Sequence, residues 1–284
     1  MCLWTSDSSC MHVSLCALTA LLLLSTCSPA PADGQATDEG EGEQQGVPAE
    51  DFGFLFVINE PELGFAQAGA IFRRDLPRAF DCQETAIAGC VLLTCAGDPL
   101  PFAPVSAGDV SIAGALVPVE LSFANNDGYG DVFLEGQDLF TGGETLTATG
   151  AGDAQGVPLF DLAVTAPHVV TIEEPVWPAG ADALAIERAR GLDVSWSGTG
   201  DGDVRAVVTT LDLSSEVSCV FPSAPGSANI PAEALQALPA GDGFLDIEVR
   251  STDDVRIDTW LIQLSASSHA LANQGAAIAS VNLQ

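Results

Sequence analysis

The residues able to do chemistry in this chain are unevenly supplied. Eight cysteines, three histidines and 39 carboxylates stand against eight arginines and no lysine. The missing lysine excludes a P-loop, a Schiff-base lysine and the Ser-x-x-Lys arrangement. Nucleophilic catalysis needs a base beside the nucleophile, most often histidine. Beyond the N-terminal apolar stretch only His168, in TAPHVVTI, and His269, in SASSHALAN, are on offer, and no Gly-x-Ser-x-Gly elbow accompanies them. One sits at a strand entry and the other in a Ser-rich turn, so neither is given a catalytic role. Paired carboxylates could hydrolyse glycosidic bonds. With acids this abundant no pair is singled out, and Trp and Tyr to stack on sugar rings are scarce.

Metal chemistry is represented only weakly. The H-E-x-x-H motif is absent, and no methionine follows Met11 to supply an axial thioether. Calcium takes hard oxygen ligands from loops, and three acidic stretches qualify: NNDGYGD, with Asn125, Asp127 and Asp131; GDGD at 200–203; and TDDVRID at 252–258. None has the D-x-[DN]-x-[DN]-G spacing with its distant Glu. Asn-Asp-Gly and Asp-Gly-Asp are equally good turn formers, because Asn and Asp tolerate left-handed backbone angles and Gly meets no steric penalty there. A calcium site would show as a melting temperature that shifts with millimolar calcium. Gly-rich runs such as GTGDGD lack phosphate-cradling spacing and sit among acids. No other cofactor is expected.

Cys82, Cys90, Cys95 and Cys219 form an even set of four. In an oxidising compartment they read as two disulfides with three connectivities open. Crowding of three of them into CQETAIAGCVLLTC makes at least one bridge local. The second then spans to Cys219 or leaves two free thiols. Zinc is the rival reading, but the spacings are not CxxC pairs.

The elements that must hold these residues are extended. In GLDVSWSG and FLDIEVRS, apolar and polar residues alternate with period two, which puts one face of a sheet on a core and the other in water. FGFLFVIN, FAQAGAIF, CVLLTC, DVSIAG, LVPVELSF, DVFLE, ETLTATG, LFDLAVT, DVRAVVTT and VRIDTWLIQL are further strand candidates, parted by Gly, Asp, Pro and Ser. NIPAEALQAL is the one plausible helix, with Pro231 in its first turn. The chain is therefore all-β, and TIEEPVWPAGAD interrupts the strand rhythm. Two antiparallel sandwiches in tandem are expected, over 51–172 and 173–284, with a single elongated sandwich as the alternative. The second resembles an immunoglobulin or fibronectin type III module through Trp196 on an inward strand face, a likeness at the level of fold only.

Ahead of them, Leu15–Leu24 is apolar but far shorter than the roughly 20 residues of a bilayer-spanning helix, and fits a signal-peptide core. It ends in Leu24-Ser25-Thr26-Cys27, which resembles the lipobox of bacterial lipoproteins, although Thr26 and the lack of a preceding Lys or Arg depart from that pattern. The resemblance implies a signal peptide at 1–26 (with Met11 as the candidate true start), lipidation of Cys27, and an outer-membrane destination from Ser28. The alternative is an ordinary signal peptide cut near Ala30 or Ala32, giving a secreted protein. Residues 27–50, rich in Pro, Gly, Gln and acid, read as a flexible tether. Phrases such as LFTGGETLTATGAG are similar to uncharacterised acidic β-rich lipoproteins of myxobacteria, which supplies a setting and no mechanism. A formal net charge of −31 makes nucleic acid an unsuitable partner. The expectation is a non-enzymatic envelope lipoprotein, held at the membrane by its anchor, that binds, adheres or supports through an unknown protein or glycan partner. Its rivals are an exported hydrolase with an unmarked site and a calcium- or carbohydrate-binding module.

Overall fold

Alternation of apolar side chains along one long strand organises the whole body. The computed structural model describes residues 51–74, 81–96, 103–124, 128–178, 182–198, 202–224, 226–273 and 275–284. Cys27, the leader and the tether lie outside them, as do Asn125 and Asp127.

In chain order the strands are β1 (Asp51–Glu60), β2 (Phe65–Arg73), β3 (Asp81–Ile87), β4 (Cys90–Ala96), β5 (Val110–Ala113), β6 (Val119–Leu121), β7 (Val132–Glu135), β8 (Thr145–Gly150), β9 (Phe160–Thr165) and β10 (Thr171–Glu174). They continue with β11 (Leu184–Ile186), β12 (Leu192–Ser197), β13 (Asp203–Thr210), β14 (Ser215–Pro222), β15 (Ser227–Ile230), β16 (Gly241–Ile257), β17 (Trp260–His269), β18 (Leu271–Ala272), β19 (Gly275–Ala276) and β20 (Ile278–Leu283). A short helix, Ala232–Ala237, follows Pro231 as the sequence anticipates.

Eleven strands make one sheet in the order β3-β4-β14-β13-β16-β17-β1-β2-β7, with β20 against β16 and β11 against β20. A four-stranded sheet, β6-β5-β8-β9, and a five-stranded one, β15-β12-β10-β18-β19, accompany it. Strand β16 explains how they stack. Its Leu245, Ile247 and Val249 enter one hydrophobic core with Val194, Trp196, Ile230 and Leu235. Further along the same face, Val255 and Ile257 pack on a second core with Ile112, Leu146, Phe160 and Leu162. The two smaller sheets therefore lie one after the other on a single face of the large sheet.

This arrangement corrects the expected division at 172/173. From Ala49 to Gln284 the chain is one compact unit, and the large sheet takes strands from both sides of that boundary. β3 and β4 join β14, while β1 inserts beside β17, parallel to it, from Asp51↔Trp260 to Ile58↔Ser267. The sequence shows two apolar sets, and there are two cores. They share a sheet because β1 and β4 find their partners late in the chain. VRIDTWLIQL is likewise two strands, turned at Asp258, whose φ is 53°.

Packing around the first core is close. Phe72 is 1% exposed and its ring meets Tyr129, Phe160 and Trp260 at centroid distances of 5.6, 5.7 and 6.3 Å. The room for that ring comes from Gly53, where a Cβ would stand 2.6 Å from Phe72 Cδ1. In the second core Trp196 is inward, as expected, and its Nε1 donates to the Ser223 carbonyl at 2.9 Å.

Candidate functional site: a buried ionic row on the large sheet

The opposite face of the large sheet carries charge where the sequence pattern calls for water. Asp246, Glu248 and Arg250, the polar half of FLDIEVRS, are all largely buried there, with Asp246 3% and Glu248 7% exposed. The expectation of a solvated face is corrected, and the reason is mutual pairing. Register places Arg205 of β13 opposite Glu248 of β16, and Glu248 opposite His269 of β17. On β1, Glu60 lies two residues beyond Ile58, hence on the same face and beside His269.

Distances follow that register. Arg205 Nη1 donates to Glu248 Oε1 at 2.9 Å and its Nη2 reaches Glu216 Oε1 of β14 at 3.2 Å. Arg250 Nη2 stands 2.7 Å from Glu248 Oε1. His269 Nδ1 faces Glu60 Oε2 at 2.5 Å and Nε2 faces Asp246 Oδ1 at 3.1 Å, as ion pairs rather than aligned hydrogen bonds. Four carboxylates thus surround three cations in a protected layer, and an unpaired charge there would be costly to desolvate.

The electrostatics set what the row can do. Burial alone would push the His269 imidazolium down, but Asp246 and Glu60 outweigh it and hold its pKa well above 6.5. Burial pushes Glu60 up against the pull of His269. Glu248 is desolvated too, yet the guanidiniums of Arg250 and Arg205 bring it below its ordinary value. Burial lowers Arg250 to about 10. An imidazole kept charged, with a carboxylate at each nitrogen, is a poor general base at neutral pH.

Sequence reasoning placed His269 in a turn; it is the last residue of β17 and its side chain is only 15% exposed. The usable signal was Glu60, an acid closing a run of buried apolar residues in β1. His168 is exposed, and its ring covers Gly142 and Gly143 in the neighbouring loop.

Of the calcium candidates, Asn125, Asp127 and Asp201 lie outside the described residues, and Asp131 and Asp253 have partners within the protein. Asp131 accepts from Gln67 Nε2 at 2.8 Å, with partial burial raising its carboxyl pKa. Asp253 Oδ2 is used by the Ala163 amide at 3.3 Å, and Asp254, next in the strand, points to the other face. The two ring nitrogens of His269 also address different carboxylates, and among the described residues no His, Cys, Asp and Glu grouping suits a metal ion.

The cysteines behave as a disulfide framework. Cys82 bonds Cys95 across β3 and β4, and Cys90 bonds Cys219 across β4 and β14, one local bridge and one of sequence separation 129. Together they fasten the edge hairpin to the sheet. Disulfides of this kind persist in oxidising, exported settings.

No protein-family model matches the chain, and no curated protein matches it. Among solved structures it is similar to one described as "Structural insight into host cell surface retention of a 1.5-MDa bacterial ice-binding adhesin", at 14% identity and a TM-score of 0.21, covering 79% of this chain and 66% of that one. A second, "Ca2+-stabilized adhesin helps an Antarctic bacterium reach out and bind ice", is 16% identical with a TM-score of 0.18, covering 71% of this chain and 55% of that one. The chain spans less than two thirds of either, and superposition this poor carries no argument about function.

Proposed function

We propose that the chain is an exported envelope lipoprotein without catalytic chemistry, whose β body stands off the membrane on an acidic tether and binds a partner at its far end. One observation carries the binding reading. The chain enters the body at Asp51, beside the Ile257 end of β16. Among the exposed large apolar side chains, two sit on turns away from that end: Leu63 in the β1–β2 turn, and Leu211, 58% exposed, in the β13–β14 turn beside Asp242 at the start of β16. Phe133 of the edge strand β7 is 59% exposed and stacks on Phe65 at 5.3 Å close by. Exposed apolar groups on turns that face away from the attachment point are suited to a partner surface. Two disulfides support the exported setting, and the caged imidazolium of His269 weighs against the rival hydrolase.

Mass spectrometry of the N-terminus from native envelope, with detergent phase partition of the wild type and of Cys27→Ser, tests the anchor. The expected result is an acylated Cys27 and loss of detergent partition in the variant. An unmodified start at Asp33 overturns the anchor. For binding, Leu63→Ser combined with Leu211→Ser should abolish retention of the protein on cells or matrix of the same envelope while leaving its melting curve unchanged. Undiminished retention overturns the distal surface.

A further inference from the structure

The strand order joins the attachment point to the far end by a route with an unusual mechanical property. Between Asp51 and Leu211 lie the neighbours β1, β17, β16 and β13. Asp51 is level with Trp260 and Ile257, whereas Leu211 donates its amide to the Asp242 carbonyl. The two points are therefore at opposite ends of β16, about 50 Å apart at a rise of ~3.3 Å per residue. A pull between them runs along the strands. Three seams carry it in series: eight register pairs between β1 and β17, ten between β17 and β16, and eight between β16 and β13. Sliding any seam lengthwise strains all its hydrogen bonds together. Pulling across strands opens them one pair at a time.

On the outer side of β1, nine pairs to β2 resist the same slide. Both faces of these seams are filled as well. Leu55, Val57, Ile262 and Leu264 pack on one side, and Phe54 and Phe56 are buried on the other. Displacement by one residue would turn every one of these side chains to the wrong face. The ion pairs of His269 with Glu60 and Asp246 bridge β17 to β1 and to β16, so they cross two of the three loaded seams.

We infer that the body is a load-bearing element, built to transmit tension in shear from its N-terminal attachment at Asp51 to the turn at Leu211. The inference deepens the tethered-binder reading by giving it a mechanical role. The resistance itself belongs to the sheet and needs neither lipid nor partner.

Single-molecule force spectroscopy on the full chain tests it, with one handle fused to the N-terminus and the other at Leu211→p-azidophenylalanine. The comparison protein carries handles at Leu63→p-azidophenylalanine and at the same residue 211, which are separated far less along the strands than Asp51 and Leu211, so that a larger share of the force crosses the strands. Near-wild-type circular dichroism verifies that each labelled protein is folded. The expected result is a rupture force several-fold higher for the lengthwise pull than for the crosswise one, at equal loading rate. Equal forces, or a lower lengthwise force, overturn the inference. Such a failure would leave the lipidation and retention results standing, so the two readings fall separately.

Discussion

Replacing His269 by Gln removes one cation from between two carboxylates that are almost wholly buried, Glu60 and Asp246. Breaking a buried pair by deleting one partner costs about 3–5 kcal/mol, because a charge is left without compensation. The 15% exposure of the imidazole and the ability of Glu60, already raised by burial, to take up a proton favour the lower end, about 3 kcal/mol. For a body of this size, that is a loss of roughly 6–12 °C in melting temperature. The pH dependence distinguishes an ionic role from simple packing. The folded pKa of His269 lies above its unfolded value near 6.5, so its contribution is complete below that pH and disappears as pH rises through the folded value. Glu60, also raised, acts in the same direction from its own lower window. Glu248 is lowered, so its stabilisation is lost only as pH falls below about 4.5, clear of the range of interest. Urea unfolding followed by circular dichroism, at pH 6 and in steps upward, should show the wild type and His269→Gln converging as pH increases. A deficit below about 1 kcal/mol at pH 6, or one constant across pH, would refute the ionic account.

Three further outcomes follow from the packing and the cross-links. Gly53→Ala forces its new methyl against the fully packed Phe72 ring and should cost about 1–3 kcal/mol in urea unfolding, with part of it regained in the Gly53→Ala/Phe72→Leu double variant. Loss of both Cys90 and Cys219 to Ala should destabilise by about 4–5 kcal/mol and loss of both Cys82 and Cys95 by about 3, since the first pair closes the far longer loop; the reverse order would contradict the observed pairing. Glu60→Leu/Asp246→Leu/His269→Leu, which exchanges both ion pairs of the imidazole for apolar contact and leaves Glu216 and Glu248 facing Arg205 and Arg250, should keep stability within about 1 kcal/mol of the wild type but double a subset of amide resonances from β1 and β17, and a single sharp set would deny these pairs any role in specifying register.

Most strands were legible because their alternation is local. GLDVSWSG states in six residues that Leu192, Val194 and Trp196 share a face, and the structure places Val194 and Trp196 in the second core. What alternation leaves open is the partner across the ladder. Nothing within FGFLFVIN says that it will lie beside WLIQLSAS, some 200 residues later in the chain, and parallel to it. The 172/173 boundary failed for that reason, since it weighed only contacts between sequence neighbours. The ionic row was illegible for a related one. A charge on the second face of a strand reads as solvated unless its counter-charge is known, and Arg205, Glu248, His269 and Glu60 come from four separate strands.

The same row answers a question that the apolar pattern raises and cannot settle. Strand β1 is buried on both faces, with Leu55 and Val57 on one and Phe54, Phe56 and Ile58 on the other. A strand greasy on both sides gives little penalty for sliding two residues along its neighbour, because such a slip restores every side chain to its original face. Polar contacts at the two ends of the β1–β17 seam supply the missing constraint. At the start, Thr259 Oγ1 donates to Asp51 Oδ2 at 2.7 Å, and at the finish His269 meets Glu60. A two-residue slip in either direction would break both at once and leave Glu60 opposite Ser267 or Leu271, without its counter-charge in a buried layer. Directional contacts at both ends of an otherwise featureless apolar seam thus select one register, and that register carries Asp51 to one end of β16 and the exposed turns to the other.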